Sequence, residues 1–80
     1  MKISKEIYRI RDLSEASVLL VSGKKLIGIE KEGNICWFEF EDFEECKKIS
    51  ELFWFGEFMV NAKSYYDAIT RLKSRIFQLQ

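Results

Sequence analysis

The sequence predicts an α+β fold: one small domain over residues 1–80, with a three- or four-stranded antiparallel sheet and helices on one face. Three observations predict it. Asp12, Asp42 and Asn61 each stand immediately ahead of a stretch with helical apolar spacing. Gly23 and Gly56 follow the first two of those stretches, where a left-handed stop belongs. Two alternating runs flank Gly33, as the arms of a hairpin do.

Taken in order, Ile7-Tyr8-Arg9-Ile10-Arg11 alternates and reads as a first strand. Asp12 with Glu15 three residues on forms a capping box, and Leu13, Ala16, Leu20 and Val21 make the inner stripe of the helix that follows. Leu26 to Lys31 and Ile35 to Glu41 form a hairpin around Glu32-Gly33. A two-residue turn there pairs Ile29 with Cys36, Gly28 with Trp37 and Ile27 with Phe38. One face then carries Ile27, Ile29, Cys36, Phe38 and Phe40, and the other Leu26, Gly28, Glu30, Ile35, Trp37 and Glu39.

Asp42 with Glu45 is a second capping box, opening a helix to about Phe55. Phe43, Cys46, Ile49, Leu52, Phe53 and Trp54 fall in its inner arc, while Phe55 lies with Glu44, Lys48 and Glu51. Glu57 to Val60 reads as a short strand or a loop. Asn61 caps a last helix to about Gln78, with Tyr65, Ile69, Leu72 and Ile76 inward and Tyr66, Lys73 and Phe77 along one flank. The order β-α-β-β-α-(β)-α follows the ferredoxin-like split βαβ pattern with an added C-terminal helix.

Composition narrows the function classes. With 48% hydrophobic and 15% aromatic residues, a chain of 80 can fill a core that removes roughly 60–65% of its unfolded surface from water. No apolar run approaches the ~20 residues of a membrane span, and Met1-Lys2-Ile3-Ser4-Lys5-Glu6 has no signal-peptide core. A reduced, cytoplasmic protein is the expectation. Cys36 and Cys46 form no CxxC pair, and the sequence has no histidine to complete a zinc site or serve as a catalytic base. Both cysteines fall on inward faces, where a buried, unreactive thiol is expected. Each glycine has a turn, stop or close-packing role, so no phosphate-cradling loop is left over. The run Glu39-x-Glu41-Asp42-x-Glu44-Glu45 turns a strand-to-helix corner, which scatters its carboxylates as a solvated face instead of gathering them on a cation. No cofactor and no metal are expected, and no enzyme.

The net charge of zero is segregated. Residues 1–31 carry seven Lys/Arg against four Asp/Glu, residues 32–57 two against eight, and residues 58–80 four against one. The segments therefore carry +3, −6 and +3. If the first strand and last helix are neighbours, they share a basic surface, which suits steering toward a charged partner or self-association.

Three features remain as candidate contacts. Phe53-Trp54-Phe55-Gly56-Glu57-Phe58 concentrates four aromatics in six positions. Either Phe55 and Phe58 pack across the glycine turn against the last helix, or part of the cluster stays exposed as an interface. Trp37 shares its sheet face with Ile7, Arg9 and Arg11; it covers the gap at Gly28, packs beneath the added C-terminal helix, or offers a stacking platform for single-stranded bases. Lys63, Arg71, Lys73 and Arg75 of the last helix are a solvated face or phosphate contacts, with Asp67 and Arg71 spaced as an i,i+4 pair.

The chain resembles a family of small domains of unknown function encoded in bacterial and phage genomes. The resemblance is carried by Asp12-Leu13 with Ala16 and Leu20 ahead of Gly23, and by Trp37-Phe38-Glu39-Phe40-Glu41-Asp42. It continues through Phe53-Trp54-Phe55-Gly56-Glu57, Val60-Asn61-Ala62 and Leu72-Lys73-Ser74-Arg75-Ile76, so it covers nearly the whole length. It implies this fold and a phage or mobile-element origin, and it transfers no activity. Phe55 departs from the resemblance, in which that position is more often polar.

The expectation for function is a non-enzymatic interaction module, acting as a homodimer or as an adaptor to a protein partner. Trp54, Phe55 and Phe58 are its candidate contacts, with Tyr66 and Phe77 as secondary ones. The alternative is single-stranded nucleic-acid binding through Arg9, Arg11, Lys25 and Trp37.

Overall fold

A computed structural model describes residues 6–79. The reading of Met1 to Lys5 as free of a signal core lies outside those residues. The elements run β1 (Tyr8–Ile10), α1 (Leu13–Val21), β2 (Leu26–Glu32), β3 (Ile35–Phe40), α2 (Phe43–Trp54) and α3 (Ala62–Gln78). The three strands form one antiparallel sheet in the order β1-β3-β2.

Tyr8 pairs with Phe40, Arg9 with Glu39 and Ile10 with Phe38. Strand alternation therefore sends Ile10, Phe38 and Phe40 to one face and Arg9, Trp37 and Glu39 to the other. Buried Ile10, Phe38 and Phe40 meet Ala16, Val18 and Leu19 of α1, Cys46 and Ile49 of α2, and Leu72 of α3 in one core. All three helices consequently lie on the Phe38 side, and the Trp37 side of the sheet is left to solvent.

The hairpin differs from the sequence expectation. Its two-residue turn is Gly33-Asn34, so Lys31 pairs with Cys36, Glu30 with Trp37, Ile29 with Phe38 and Gly28 with Glu39. The register has moved by two residues, which leaves the faces of Ile29, Cys36 and Phe38 as expected. A bulge then places Leu26 opposite Phe40. Ile27 becomes the extra residue and turns outward, while Leu26 turns in against the core. Glu39, not Trp37, lies across from Gly28: a Cβ there would come within 3.3 Å of Glu39 Oε1.

Five consecutive residues of α1, Glu15 to Leu19, are buried. Five positions sweep more than a full turn, so α1 is covered all round instead of along a stripe. Its Ser17 hydroxyl is satisfied within the helix, donating to the Leu13 carbonyl at 2.8 Å. Asp12 caps its start, Oδ1 accepting from the Glu15 amide at 2.8 Å. Its end closes with two Schellman bonds, Lys24 N–H to the Leu19 carbonyl and Gly23 N–H to that of Leu20. The end of α2 repeats the motif, Glu57 N–H reaching Leu52 and Gly56 N–H reaching Phe53.

Helix α2 runs antiparallel to α1. Its last residue, Trp54, bonds Glu15 near the start of α1, and its cap, Asp42, lies 4.0 Å from Lys24 just past the end of α1. Helix α3 is antiparallel to α1 as well: Ser64, Asp67 and Ala68 share a cleft with Leu20 and Val21, and Ile76 shares another with Leu13. Because α2 and α3 are parallel, the connection from Phe55 to Asn61 must return the length of a helix. Twelve helical residues span about 18 Å, which seven extended residues just cover. The segment Glu57 to Val60 is therefore committed to this return and forms no fourth strand; Phe58 packs half-buried against the core on the way. Asn61 then caps α3, its Oδ1 accepting from the Ser64 amide at 3.0 Å.

Asp42 is the only non-glycine described residue with positive φ, at 73°, and its carboxylate accepts from the Glu45 amide at a long 3.4 Å. Asn tolerates that conformation and keeps the cap, whereas Ala does neither. Urea unfolding is expected to place Asp42→Asn within about 0.5 kcal/mol of the parent and Asp42→Ala about 2 kcal/mol below it; equal stability of the two variants would refute this account of the corner.

Candidate functional site

The candidate contacts divide between the two sides of the molecule. On the open sheet face, the Arg9 guanidinium lies 4.5 Å from the centre of the Trp37 ring. The same guanidinium bonds Glu32 at 2.8 Å and Glu39 at 3.3 Å, and lies 3.6 Å from Glu30. Its bond to Glu32 raises Arg9 and lowers Glu32, while a hydrogen bond with Glu32 pushes Glu30 up. One cation thus serves three carboxylates, so this face is acidic around its single stacked arginine.

The other cations expected beside Trp37 lie elsewhere. Arg11 lines a cleft of about 400 Å³ with Leu13, Asn34, Cys36, Phe38 and Ile76, at one end of the sheet. Lys25 sits at the opposite end, where its carbonyl accepts from the Glu41 amide. Helix α3 is on the far side of the sheet from Trp37, so its cations do not join Arg9 on that face. Asp67 pairs with Lys63 at 3.1 Å in place of the expected Arg71. Among the described residues, no group of three or more Cys, Asp or Glu is placed to hold a metal ion.

On the helical side, Glu15 is the organising group. Its second role in a capping box is abandoned: the carboxylate is 6% exposed and turned inward, accepting from the Tyr8 hydroxyl at 2.8 Å and from the Trp54 indole at 3.2 Å. β1, α1 and the end of α2 are thereby tied through one side chain. Burial pushes the Tyr8 hydroxyl up in pKa, the neighbouring Ser50 hydroxyl lowers it in part, and Glu15 adds to the rise. Ser50 Oγ is itself buried without a hydrogen bond of good geometry, so its effect on Tyr8 is one of proximity. Cys46 Sγ, fully buried, donates to the Glu41 carbonyl at 3.3 Å, and burial pushes its thiol up to about 11. Both cysteines are free thiols.

Trp54 and Leu52 leave the inner arc expected for them. The buried line of α2 is Cys46, Ile49 and Ser50, with Phe53 beside it, and these lie within about 100° of one another. Trp54 falls at the edge of that arc: its indole N–H reaches in to Glu15 while the ring stays 60% exposed, edge-on to Phe53 at 5.0 Å. Phe55, the C-cap residue of α2, is 77% exposed. It does not fold back across Gly56, as only Phe58 packs inward. Tyr66 and Phe77, 69% and 75% exposed, line a groove of about 510 Å³ along the outer side of α3 with Ile69, Thr70, Lys73 and Ser74. Eleven residues separate these two rings, about 16 Å along the helix. The five aromatics are thus two surfaces, one at the end of α2 and one along α3. Glu15 was missed as a site residue; its place as the expected partner in a capping box gave no sign that it would turn inward.

This combination defines a small α+β domain whose helical layer carries large exposed rings. The family model for a domain of unknown function, DUF5659, matches residues 5–78, and the chain belongs to that family. Neither the curated proteins nor the solved structures give a match. Among the described residues, no helix is long and apolar enough to cross a membrane.

Removing the Glu15 carboxylate leaves the Tyr8 hydroxyl without its acceptor and frees the Trp54 indole. In a Trp37→Phe background, Glu15→Ala is expected to lose about 2 kcal/mol of stability and to shift Trp54 emission to the red. Unchanged stability and emission would refute the link. A second expectation concerns alkali. Both Tyr8 and Cys46 have folded values above their unfolded ones, 10.0 and 9.0, so the folded state holds these protons more tightly. Their contribution is fully present below pH 9 and is lost as pH rises through about 11 for Cys46. Thermal melts should show that fall, and Cys46→Ala should flatten its first part.

Proposed function

We propose that this chain is a non-enzymatic interaction module that docks a protein partner, another chain or its own copy, through the rings of its helical layer. The observation that carries the reading is the exposure of Phe55, Tyr66 and Phe77, none of which the core needs. Large apolar side chains held in water contribute nothing to folding that Ala would not, and clusters of them are typical of interfaces. Trp54 supports it: a ring fixed by a buried carboxylate loses little freedom on binding. A histidine-free sequence and a Cys46 thiol kept protonated by burial also fit a role without catalysis. The two free thiols fit the reducing cytoplasm, and the motif resemblance fits a bacterial or phage setting.

The nucleic-acid alternative needs positive charge beside Trp37. Three glutamates around Arg9 weigh against phosphate there. Anisotropy of a labelled single-stranded oligonucleotide is therefore expected to stay flat at low and moderate salt. Salt-sensitive binding lost in Trp37→Ala would reverse the choice.

The reading itself is tested by placing a photo-crosslinking residue at position 55 or 77 and, as a control, at exposed position 47. Crosslinks to protein, of either kind, are expected from the first two and not from the third. No crosslinks, or equal ones at all three, would overturn it.

A further inference from the structure

Resting on the interaction reading, the geometry points to one occupant: a second copy of this chain, with α2 of each protomer lying along α3 of the other about a two-fold axis. Three observations lead there.

The first is direction. α2 and α3 both run antiparallel to α1, so they are parallel to each other. A two-fold axis parallel to the helices leaves every residue at its own height. It also brings α2 of one copy opposite α3 of the other, in the same direction and twice over. This is the closed, self-complementary contact that a two-fold dimer requires.

The second is level. Trp54 bonds Glu15 and Ile76 lies by Leu13, so α2 and α3 end at the same end of α1. Phe55 of one copy then comes level with Phe77 of the other. One turn earlier on each helix, Glu51 comes level with Lys73, four residues before its ring in both cases.

The third is charge. Phe55 shares the outer side of α2 with Glu44, Glu51 and Lys48, and Lys73 lines the α3 groove between Tyr66 and Phe77. Neither Glu51 nor Lys73 makes an ion pair or a side-chain hydrogen bond among the described residues. Each copy therefore presents a free carboxylate beside a ring on one helix and a free ammonium beside a ring on the other. About the same axis parallel to the helices, α3 facing a second α3 would set Lys73 against its own copy, which disfavours that like-helix pairing.

Sedimentation equilibrium at about 100 µM protein, where mass action favours even a weak dimer, is expected to show a dimer. Glu51→Lys and Lys73→Glu sit on the surface and leave the core untouched. Each alone is expected to weaken dimerisation about tenfold or more, because it replaces two attractions by two like-charge contacts. An equimolar mixture of the two variants is expected to recover the dimer, since both contacts of the mixed pair again join opposite charges. The double variant Glu51→Lys with Lys73→Glu should recover it as well. A parent that stays monomeric, or variants that dimerise like the parent, would overturn the proposal. So would single variants that fail to recover on mixing. If the parent is monomeric but positions 55 and 77 crosslink to a different protein, this proposal fails and the interaction reading stands. If neither occurs, both fail.

Discussion

A carboxylate removed from water is costly unless it is hydrogen-bonded, and Glu15 meets that condition with one donor from β1 and another from α2. Those two bonds can form together only when the strand, the first helix and the end of the second helix hold one mutual arrangement. Apolar packing of Phe38, Phe40, Leu19 and Leu72 supplies most of the drive to fold, but it is indifferent to small slides between layers. The polar link is directional. It fixes where α2 ends, and with that the position of Trp54, Phe55 and the Gly56 stop.

Placing α1 at the centre has a second consequence. The sheet lies beneath it and α2 and α3 flank it, so the chain must travel back along the helical layer between Trp54 and Asn61. That return excludes a fourth strand and leaves the sheet at three. It also sets the ends of α2 and α3 at one end of the molecule, so the exposed rings arise from topology as much as from composition. On the opposite side, Arg9 is held between Trp37 and three glutamates. That arrangement stiffens an open sheet face and leaves it acidic.

Much of this was legible in the chain. Asp12, Asp42 and Asn61 cap the helices expected of them, and Gly23 and Gly56 stop two of them, because caps and stops depend on residues within four positions of each other. The alternation of Tyr8, Ile10, Phe38 and Phe40 gave the core face for the same reason. The hairpin turn falls at Gly33-Asn34, one residue beyond the Glu32-Gly33 that alternation suggests, since a glycine can occupy either turn position. The bulge at Ile27 left no mark, because Leu26 and Ile27 are equally apolar and either can face inward.

The sequence by itself determined the class of fold, the ends of the helices and which residue types were available to make contacts. Only the tertiary structure decided which of those residues are exposed. Glu15 reads as a cap partner and is the buried hub; Phe55 has two readings and is exposed; Arg9 reads as a candidate nucleic-acid contact and is compensated by three carboxylates. In each case the outcome depends on groups as far as 30 to 39 residues away in the chain, or on the absence of any group near enough to cover a ring. Local periodicity records the face of a helix or strand, whereas burial and charge compensation are set by what another element brings against that face.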